Sequence, residues 1–240
     1  MTTTSGTSHQ ADRQDRSRFT FQQGWFELIR DEWEKLTMSL RGKKLHVLEV
    51  GSFEGASTTW ILDNLMDHAE STMTVIDTFE GGMEHQGADN AQNYNISTLE
   101  NRFRANVAKC EHVNKLRVMK ARSDDALLAL RQESAHFDFI YVDASHVAID
   151  VLHDAVVCWR MLNVHGVMVF DDFRWKGYME DCYNPHVAIL GFLRCAAPEI
   201  ETRETESQMW VTKVPNRIPA TPNPDPALYY WEKDKNSALE

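Results

Sequence analysis

Cysteine and long apolar runs are both scarce in this sequence. The 240 residues include four cysteines, Cys110, Cys158, Cys182 and Cys195, and no two of them have C-x-x-C spacing. Reduced thiols are therefore expected rather than a disulfide framework. No apolar run approaches the ~20 residues of a membrane helix, and the first 18 residues lack the apolar core of a signal peptide. These absences predict a cytoplasmic protein without a membrane partner.

An excess of positive charge is also missing. Lysine and arginine number 25 against 36 aspartates and glutamates, which gives a formal net charge of −11. Because this charge would repel a phosphate backbone, no nucleic-acid partner is expected. The length suits one sizeable hydrophobic core and leaves little for a second full domain.

The chain divides into two polar ends and one domain. Residues 1–18 are rich in Ser, Thr and charge, which predicts a flexible tail. Residues 19–40 repeat apolar side chains at steps of three and four, which predicts an amphipathic helix that serves as core, lid or dimer contact. The domain continues to residue 214, and the proline-rich, charged residues 215–240 are predicted to form a second tail.

Within the domain, short apolar runs alternate with helical segments. The five runs that read as strands are KLHVLEV, TMTVID, LRVMKA, FDFIYVD and GVMVFDD. Strands separated by helices imply right-handed crossovers and a parallel sheet covered on both faces. Two later runs, near IETRET and MWVTKV, are close enough to pair as an antiparallel edge. The predicted fold is α/β, a doubly wound and mostly parallel seven-stranded sheet with an antiparallel C-terminal strand.

The stretch VLEVGSFEGAST joins the first strand to a helix through two glycines. Gly51 and Gly55 would let a ligand approach the backbone, and the helix N-terminus would attract an anionic group. Phe53 replaces the second glycine of the dinucleotide fingerprint G-x-G-x-x-G, so a pyrophosphate is not expected. Glu49, just inside the strand, favours a zwitterionic ligand instead. A simple connection that needs positive φ is the alternative.

Acidic residues close four of the strands. Asp77 ends the second strand, where an acid can accept ribose hydroxyls, and Asp143 ends the fourth. Asp171 and Asp172 end the fifth, and with Asp143 they would repel one another unless a cation, a proton or solvent intervened. A Mg²⁺ site is therefore the hypothesis, with a solvated turn as its alternative. Ser123 and Asp124, after the third strand, are expected either to cap a helix or to bind an adenine edge.

These motifs resemble a known family. VLEVGSFEGAST, TVIDTFEGG, FDFIYVDASH and MLNVHGVMVFDDF are similar, in order and spacing, to class I S-adenosylmethionine-dependent methyltransferases. The acids after the fourth and fifth strands resemble the Mg²⁺-dependent O-methyltransferases, both the catechol type and the small-molecule and sugar type that includes macrocin O-methyltransferases. The resemblance implies a Rossmann-like methyltransferase fold over residues 19–214 and methyl transfer to a hydroxyl of a small molecule.

The resemblance also implies roles for individual residues. The cofactor S-adenosylmethionine would contact one set, namely Glu49, Gly51, Ser52, Phe53, Gly55, Ser57, Asp77, Thr78, Ser123, Asp124 and Asp143. Mg²⁺ or another divalent cation would be held by Asp143, Asp171 and Asp172. His146, three residues after Asp143, is the candidate base, and Asp143 is the second catalytic residue. A capping or surface role is the alternative for His146.

Two loops are expected to select the acceptor. Residues 80–95 form a long, polar, glycine-bearing segment typical of a lid. Arg174, Trp175 and Tyr178 follow the acid pair directly and are predicted to flank an aromatic or sugar acceptor. Both segments also suit an ordinary surface loop.

Other functions stay open at this point. A metal-independent methyltransferase acting on N, O or C would use the acids only to shape the pocket. A nicotinamide-dependent oxidoreductase is disfavoured by Phe53 and by the acids after the fourth and fifth strands. A silent scaffold would have no reason to carry this set of strand-end residues. A homodimer is possible through the aromatic N-terminal helix.

Overall fold

A seven-stranded sheet forms the centre of the computed structural model, which describes residues 16–82, 85 and 95–216. Its strand order is β3-β2-β1-β4-β5-β7-β6. The strands are β1 His46–Val50, β2 Thr72–Asp77, β3 Leu116–Lys120, β4 Phe137–Val142, β5 Leu162–Phe170, β6 Ile200–Glu204 and β7 Met209–Lys213. The predicted doubly wound sheet is confirmed.

In the described residues, six α-helices connect and cover the strands. They are α1 Trp25–Leu36, α2 Ala56–Leu65, α3 Leu99–Val107, α4 Ser123–Gln132, α5 Ala148–Met161 and α6 Pro185–Ala196. Each of α2 to α5 lies between two strands that pair in parallel or share the parallel part of the sheet. Because β1 to β5 run parallel, their carboxyl ends lie at one edge of the sheet.

The last two strands pair antiparallel, as the sequence predicts. β7 pairs with β5, with Phe170 opposite Met209, and β6 pairs with β7, with Glu204 opposite Met209. Since β7 begins where β5 ends, the turn at residues 205–208 lies at the carboxyl edge of the parallel strands. This turn therefore borders any site formed at that edge.

Hydrophobic side chains cover both faces of the sheet. One cluster packs α4, α5 and α6 against β4 and β5, and the other packs α1, α2 and α3 against β1 and β2. Trp33 of α1 is fully buried in the second cluster, and its ring meets Trp60, Tyr141 and Trp210 edge-on at 4.8 to 5.7 Å between centroids. These contacts fix α1 across the sheet near the carboxyl edge.

The N-terminal segment differs from its prediction in two ways. The helix begins at Trp25 rather than near residue 19 and ends at Leu36, followed by a short 3₁₀ turn. Residues Arg16–Arg18, assigned to the tail by the sequence, form a 3₁₀ helix. The reason is the Arg16 guanidinium, which donates to the Ala56 carbonyl at 2.8 Å and lies 5.4 Å from the Phe26 ring centroid.

The remaining parts of the predicted tails, residues 1–15 and 217–240, lie outside the described residues. Most of the predicted lid, residues 83–84 and 86–94, lies outside them as well. Across the described part of the chain, no helix combines the length and the apolar character needed to cross a membrane.

Candidate functional site

The glycine turn after β1 approaches the end of β4 so closely that no side chain fits. Gly51 has φ +87°, and a Cβ there would lie 2.0 Å from the Asp143 carbonyl oxygen. Gly55 has φ +82° and precedes α2, and its added Cβ would meet the Phe103 ring at 3.0 Å. The alternative offered by the sequence, a turn that needs positive φ, thus holds at both glycines. At Gly51 the close approach also sets the distance between the turn and the acid that ends β4.

Asp77 holds the glycine turn in place. Its Oδ2 accepts the backbone N–H groups of Ser52 at 2.7 Å and Phe53 at 2.9 Å, and its Oδ1 accepts that of Phe79 at 2.6 Å. Phe53 has φ +47°, an uncommon conformation for a bulky residue that this anchoring helps to stabilise. Asp77 also lines the cavity described below.

Glu49 lies behind the turn rather than in the cavity. Its carboxyl group is fully buried and accepts hydrogen bonds from the hydroxyls of Ser57 and Thr58. Burial raises the pKa of Glu49 to about 8, against the lowering effect of the two hydroxyls. Glu49 therefore supports the start of α2 from beneath, and Ser57 directs its hydroxyl to Glu49.

Acids at the ends of β4 and β5 meet through a tyrosine. The buried Tyr141 hydroxyl is hydrogen-bonded to Asp143 Oδ2 at 3.0 Å and to Asp171 Oδ2. Burial, then the charges of Asp171 and Asp172, raise the pKa of Asp143 well above its usual range. Burial and the charge of Asp172 raise the pKa of Asp171 to about 6. Burial and mutual repulsion therefore favour a bound proton or a cation at this cluster of carboxyl groups.

A histidine and a tryptophan border this acid cluster. His146 Nε2 lies 2.7 Å from Asp172 Oδ2, and the imidazole lies 4.6 Å from the Trp175 ring, measured between centroids. Asp172 has φ +53°, and its backbone N–H donates to Asp171 Oδ1 at 2.9 Å. His146 precedes α5, which begins at Ala148, so it is not a residue of the helix. The Asp172 carboxylate orients the imidazole ring.

The predicted metal ligands Asp143, Asp171 and Asp172 lie near one another but do not form a complete coordination site. Among residues 16–82, 85 and 95–216, no group of three or more His, Cys, Asp or Glu has the arrangement that holds a metal ion. The reason is visible in the contacts, because Tyr141 lies between Asp143 and Asp171 while His146 takes one oxygen of Asp172. The chemistry of the donors nevertheless fits a hard divalent cation, since all three are carboxylates whose mutual repulsion a cation would relieve.

Ser123 and Asp124 lie at the start of α4, on the other side of the cavity. Asp154 is 1% exposed on the neighbouring α5, and hydrogen bonds from His153 and Ser123 oppose the rise that burial causes in its pKa. His153 Nδ1 lies 3.1 Å from Asp154 Oδ1. A buried carboxylate therefore fixes Ser123 and His153, and the side chains of Ser123, Asp124 and His153 all line the cavity.

One cavity of about 1410 Å³ joins these features. Twelve of the fourteen predicted site residues line it, and the two that do not are Glu49 and Gly55. A pocket for one small ligand typically measures about 300–1,000 Å³. The cavity therefore has room for a nucleoside-sized ligand and a second molecule beside it.

The structure adds residues that the sequence argument missed. Tyr141 stands two positions before Asp143 in β4, so the strand's period of two places both on one face, and this signal was available in the sequence. Gln208 accepts the indole N–H of Trp33 at 2.9 Å and lowers the pKa of Asp171, and it has no local signal because its partners are distant in sequence.

The segment after β5 contributes only in part. Trp175 lines the cavity, and Tyr178 packs edge-on against it at 5.0 Å between centroids. Arg174, which the sequence places beside the acceptor, instead forms an ion pair with Glu204 of β6.

Comparison with known proteins gives a family match over the part of the chain that carries these features. A family profile described as a methyltransferase domain matches residues 48–173. That range covers 126 of the 240 residues and includes the glycine turn and all three acids of the cluster. No curated protein sequence matches the chain.

Solved structures share the fold at low sequence identity. One is the MycE methyltransferase of the mycinamycin biosynthetic pathway in complex with Mg, SAH and mycinamycin VI, with TM-score 0.54, 15% identity and 85% of this chain covered. This chain spans 53% of the length of MycE. Another is an O-methyltransferase from Bacillus cereus in complex with SAH, with TM-score 0.55, 17% identity and coverage of 76% of this chain and 81% of that one.

A third similar structure is the O-methyltransferase TomG from Streptomyces achromogenes, involved in tomaymycin synthesis and in complex with SAM. Its TM-score is 0.56 at 14% identity, and the match covers 77% of this chain and 80% of TomG. At these identities the three structures establish the shared fold alone.

Proposed function

Because the chain belongs to the methyltransferase family whose domain spans residues 48–173, we propose that it transfers the methyl group of S-adenosylmethionine to a hydroxyl oxygen of a small molecule. A divalent cation, Mg²⁺ in the first instance, is proposed to assist. The proposal agrees with the similar structures, among which MycE carries Mg and SAH and TomG carries SAM.

One observation carries the proposal. The glycine turn of β1 and the acid cluster of β4 and β5 open into the same cavity, and the backbone contact between Gly51 and Asp143 fixes their separation. A methyl donor held at the turn would therefore lie beside an acceptor held at the cluster. Such fixed proximity is the main requirement of a direct transfer between two bound molecules.

The proposed cofactor site uses the residues on the turn side of the cavity. Gly51, Ser52 and Phe53 form the wall next to the methionine part, and Asp77 faces the ribose while it anchors the turn. Ser123 and Asp124 lie where the adenine would be read. Glu49 lies one layer deeper, so its proposed role is to hold Ser57 and Thr58 rather than to touch the cofactor.

The proposed metal site uses Asp143, Asp171 and Asp172. A divalent cation bound there would lower the pKa of an acceptor hydroxyl and help to position its oxygen. The Nε2 atom of His146 lies against the Asp172 carboxylate, which favours the tautomer whose proton is on Nε2. In that tautomer the lone pair of Nδ1 is free to accept a proton. We propose His146 as the group that takes the hydroxyl proton, with the ring held in place by Trp175.

Binding and metal dependence are tested separately. Calorimetry with SAH checks the donor site, and failure of SAH to bind would refute the methyltransferase proposal. For the cation, Mg²⁺ is expected to raise the thermal midpoint of the wild type, because it binds only the folded cluster. Asp171→Asn should lose this increase, whereas Glu201→Gln on the exposed β6 strand should keep it. Equal increases in both variants would remove Asp171 from the metal site.

A metal-independent methyltransferase is the second candidate, and a specific observation favours it. The Tyr141 hydroxyl has one proton but contacts both Asp143 and Asp171, so one carboxyl of the pair must carry a proton for both contacts to be hydrogen bonds. The raised pKa of Asp143 agrees with that arrangement. A methyl-transfer assay in EDTA distinguishes the two candidates, since undiminished turnover would support the metal-independent one.

A further inference from the structure

Helix α1 forms a wall of the cavity on the side away from the adenine position. Trp25, at its start, lies 5.5 Å from Phe53 of the glycine turn, measured between ring centroids. Trp33, near its end, donates its indole N–H to Gln208 in the turn between β6 and β7 at 2.9 Å. The helix therefore runs from the turn that would hold the donor to the β6–β7 turn, beyond the acid cluster. The part of the cavity lined by α1 and by Glu206 and Ser207 of the β6–β7 turn is called the acceptor wall below.

Exposed apolar side chains that the protein core does not use line the cavity, Trp25 and Leu28 on the acceptor wall and Ile149 on α5. Leu28 is 84% exposed, Ile149 at the start of α5 is 69% exposed and Trp25 is 44% exposed, and all three line the cavity. Leu28 and Trp25 belong to the apolar pattern that predicts the helix, yet only Phe26, Ile29 and Trp33 of α1 are buried. Apolar groups that gather at a cavity mouth indicate contact with an apolar part of a ligand.

The charges of the acceptor wall are of one sign. Glu32 of α1 and Glu206 of the β6–β7 turn line the cavity there. No lysine is among the described residues that line the cavity, and the one arginine, Arg122, lies at the start of α4 with Asp124 3.3 Å away. An anionic group on an acceptor would thus meet two carboxylates, whereas an ammonium group would be attracted by both.

A serine hydroxyl on the same wall needs a partner. Ser207 lines the cavity, and its Oγ is buried with no hydrogen-bond partner among the described residues. Its carbonyl accepts the backbone N–H of Phe173 at 2.8 Å, which fixes the residue next to Asp171 and Asp172. Because buried polar atoms are almost always hydrogen-bonded, this hydroxyl is available to a polar group of a bound ligand.

From these observations we infer that the acceptor is an amine-bearing alcohol or phenol with an apolar ring or chain. Its apolar part contacts Trp25 and Leu28, its ammonium group is attracted by Glu32 and Glu206, and a polar group reaches Ser207. The charge of the wall disfavours an acceptor whose carboxylate or phosphate would face Glu32 and Glu206. This inference rests on the proposed function, since it names the substrate class of that same site.

The test measures binding of three matched probes to the full-length protein saturated with SAH and Mg²⁺. The probes are 2-phenylethylamine, 2-phenylethanol and phenylacetate, which share the ring and differ in charge, and dissociation constants are obtained by ligand-observed NMR. The amine is expected to bind about fivefold or more tightly than the alcohol, and the carboxylate most weakly. Replacing both acids, in Glu32→Gln with Glu206→Gln, should bring the three constants to within about twofold of one another.

Glu34→Gln is the matched control, because Glu34 lies on the same helix, pairs with Arg30 at 3.7 Å and does not line the cavity. It should leave the preference for the amine unchanged. Phenylacetate binding as tightly as the amine, no binding of any probe at millimolar concentration, or an unchanged preference in the double variant would each overturn the inference. SAH binding is measured in the same samples to distinguish the acceptor inference from the proposed function. If the wild type failed to bind SAH, the methyltransferase proposal would be refuted rather than the acceptor inference.

Discussion

Gly51→Ala tests whether the approach of the glycine turn to β4 fixes the site. An alanine at φ +87° costs about 1 kcal/mol for the left-handed conformation alone. Its Cβ would also lie 2.0 Å from the Asp143 carbonyl oxygen and 2.6 Å from the Cα of Ala144, both of them backbone atoms that no rotamer change can move. Displacing them adds about 1–3 kcal/mol, as overpacking does in a core. The expected total is roughly 2–4 kcal/mol.

Two other glycines allow the conformational cost to be measured without the steric cost. Gly42 has φ +72° with no atom within 4 Å of an added Cβ, so Gly42→Ala should cost about 1 kcal/mol for conformation only. Gly191, inside α6, is equally open and has no positive φ, so Gly191→Ala should stabilise the protein by about 0.5–1 kcal/mol through helix propensity.

The measurement is urea unfolding followed by tryptophan fluorescence, together with SAH affinity of the folded variants. Gly51→Ala should weaken SAH binding, because β4 must move away from the turn, while the two control variants should bind SAH as the wild type does. Equal destabilisation in Gly51→Ala and Gly42→Ala would refute the reasoning, since the backbone contact would then carry no cost.

Two further predictions concern buried acids. The pKa of Glu49 is raised from 4.5 to about 8, so its contribution to stability is complete below about pH 4.5 and is lost as the pH rises through 8. Between pH 4.5 and pH 8 the wild type should lose up to roughly 5 kcal/mol more of its free energy of unfolding than Glu49→Gln does, as measured by urea unfolding. Parallel pH profiles of the two proteins would contradict the shift. Glu54 is 2% exposed and forms an ion pair with Arg102 at 2.7 Å, so Glu54→Gln should cost about 3 kcal/mol in the same assay by leaving the guanidinium without a charged partner. Glu133→Gln, which breaks the exposed pair with Arg117, is its control and should not move the denaturation midpoint.

The acid cluster shows where sequence reasoning reaches its limit. Asp143 and Asp171 stand 28 positions apart, and the rule that parallel strands end at one edge is enough to place them together. The rule does not say what lies between them. The Tyr141 hydroxyl lies between Asp143 and Asp171 and contacts both. These contacts depend on side-chain directions that no spacing in the sequence specifies.

Glu49 and Arg174 are residues that the sequence places at the site but whose side chains bond elsewhere in the structure. Both were predicted to face a ligand from their positions next to a motif, yet Glu49 turns toward the hydroxyls of Ser57 and Thr58, and Arg174 toward Glu204. In each case the nearest partner comes from an element whose position is set by packing. Adjacency along the chain therefore located the site but not the role of each residue within it.

By itself, the sequence determined the order of strands and helices along the chain, the antiparallel edge and the edge of the sheet at which the predicted site residues gather. It could do so because hydrophobic periodicity and turn residues act locally and because parallel strands share one polarity. The tertiary structure alone decided that α1 begins at Trp25 and faces the cavity with Leu28, and that the β6–β7 turn brings Glu206 and Ser207 beside the acids. Those contacts join segments far apart in the chain, and only the packing of the whole domain sets the distances between them.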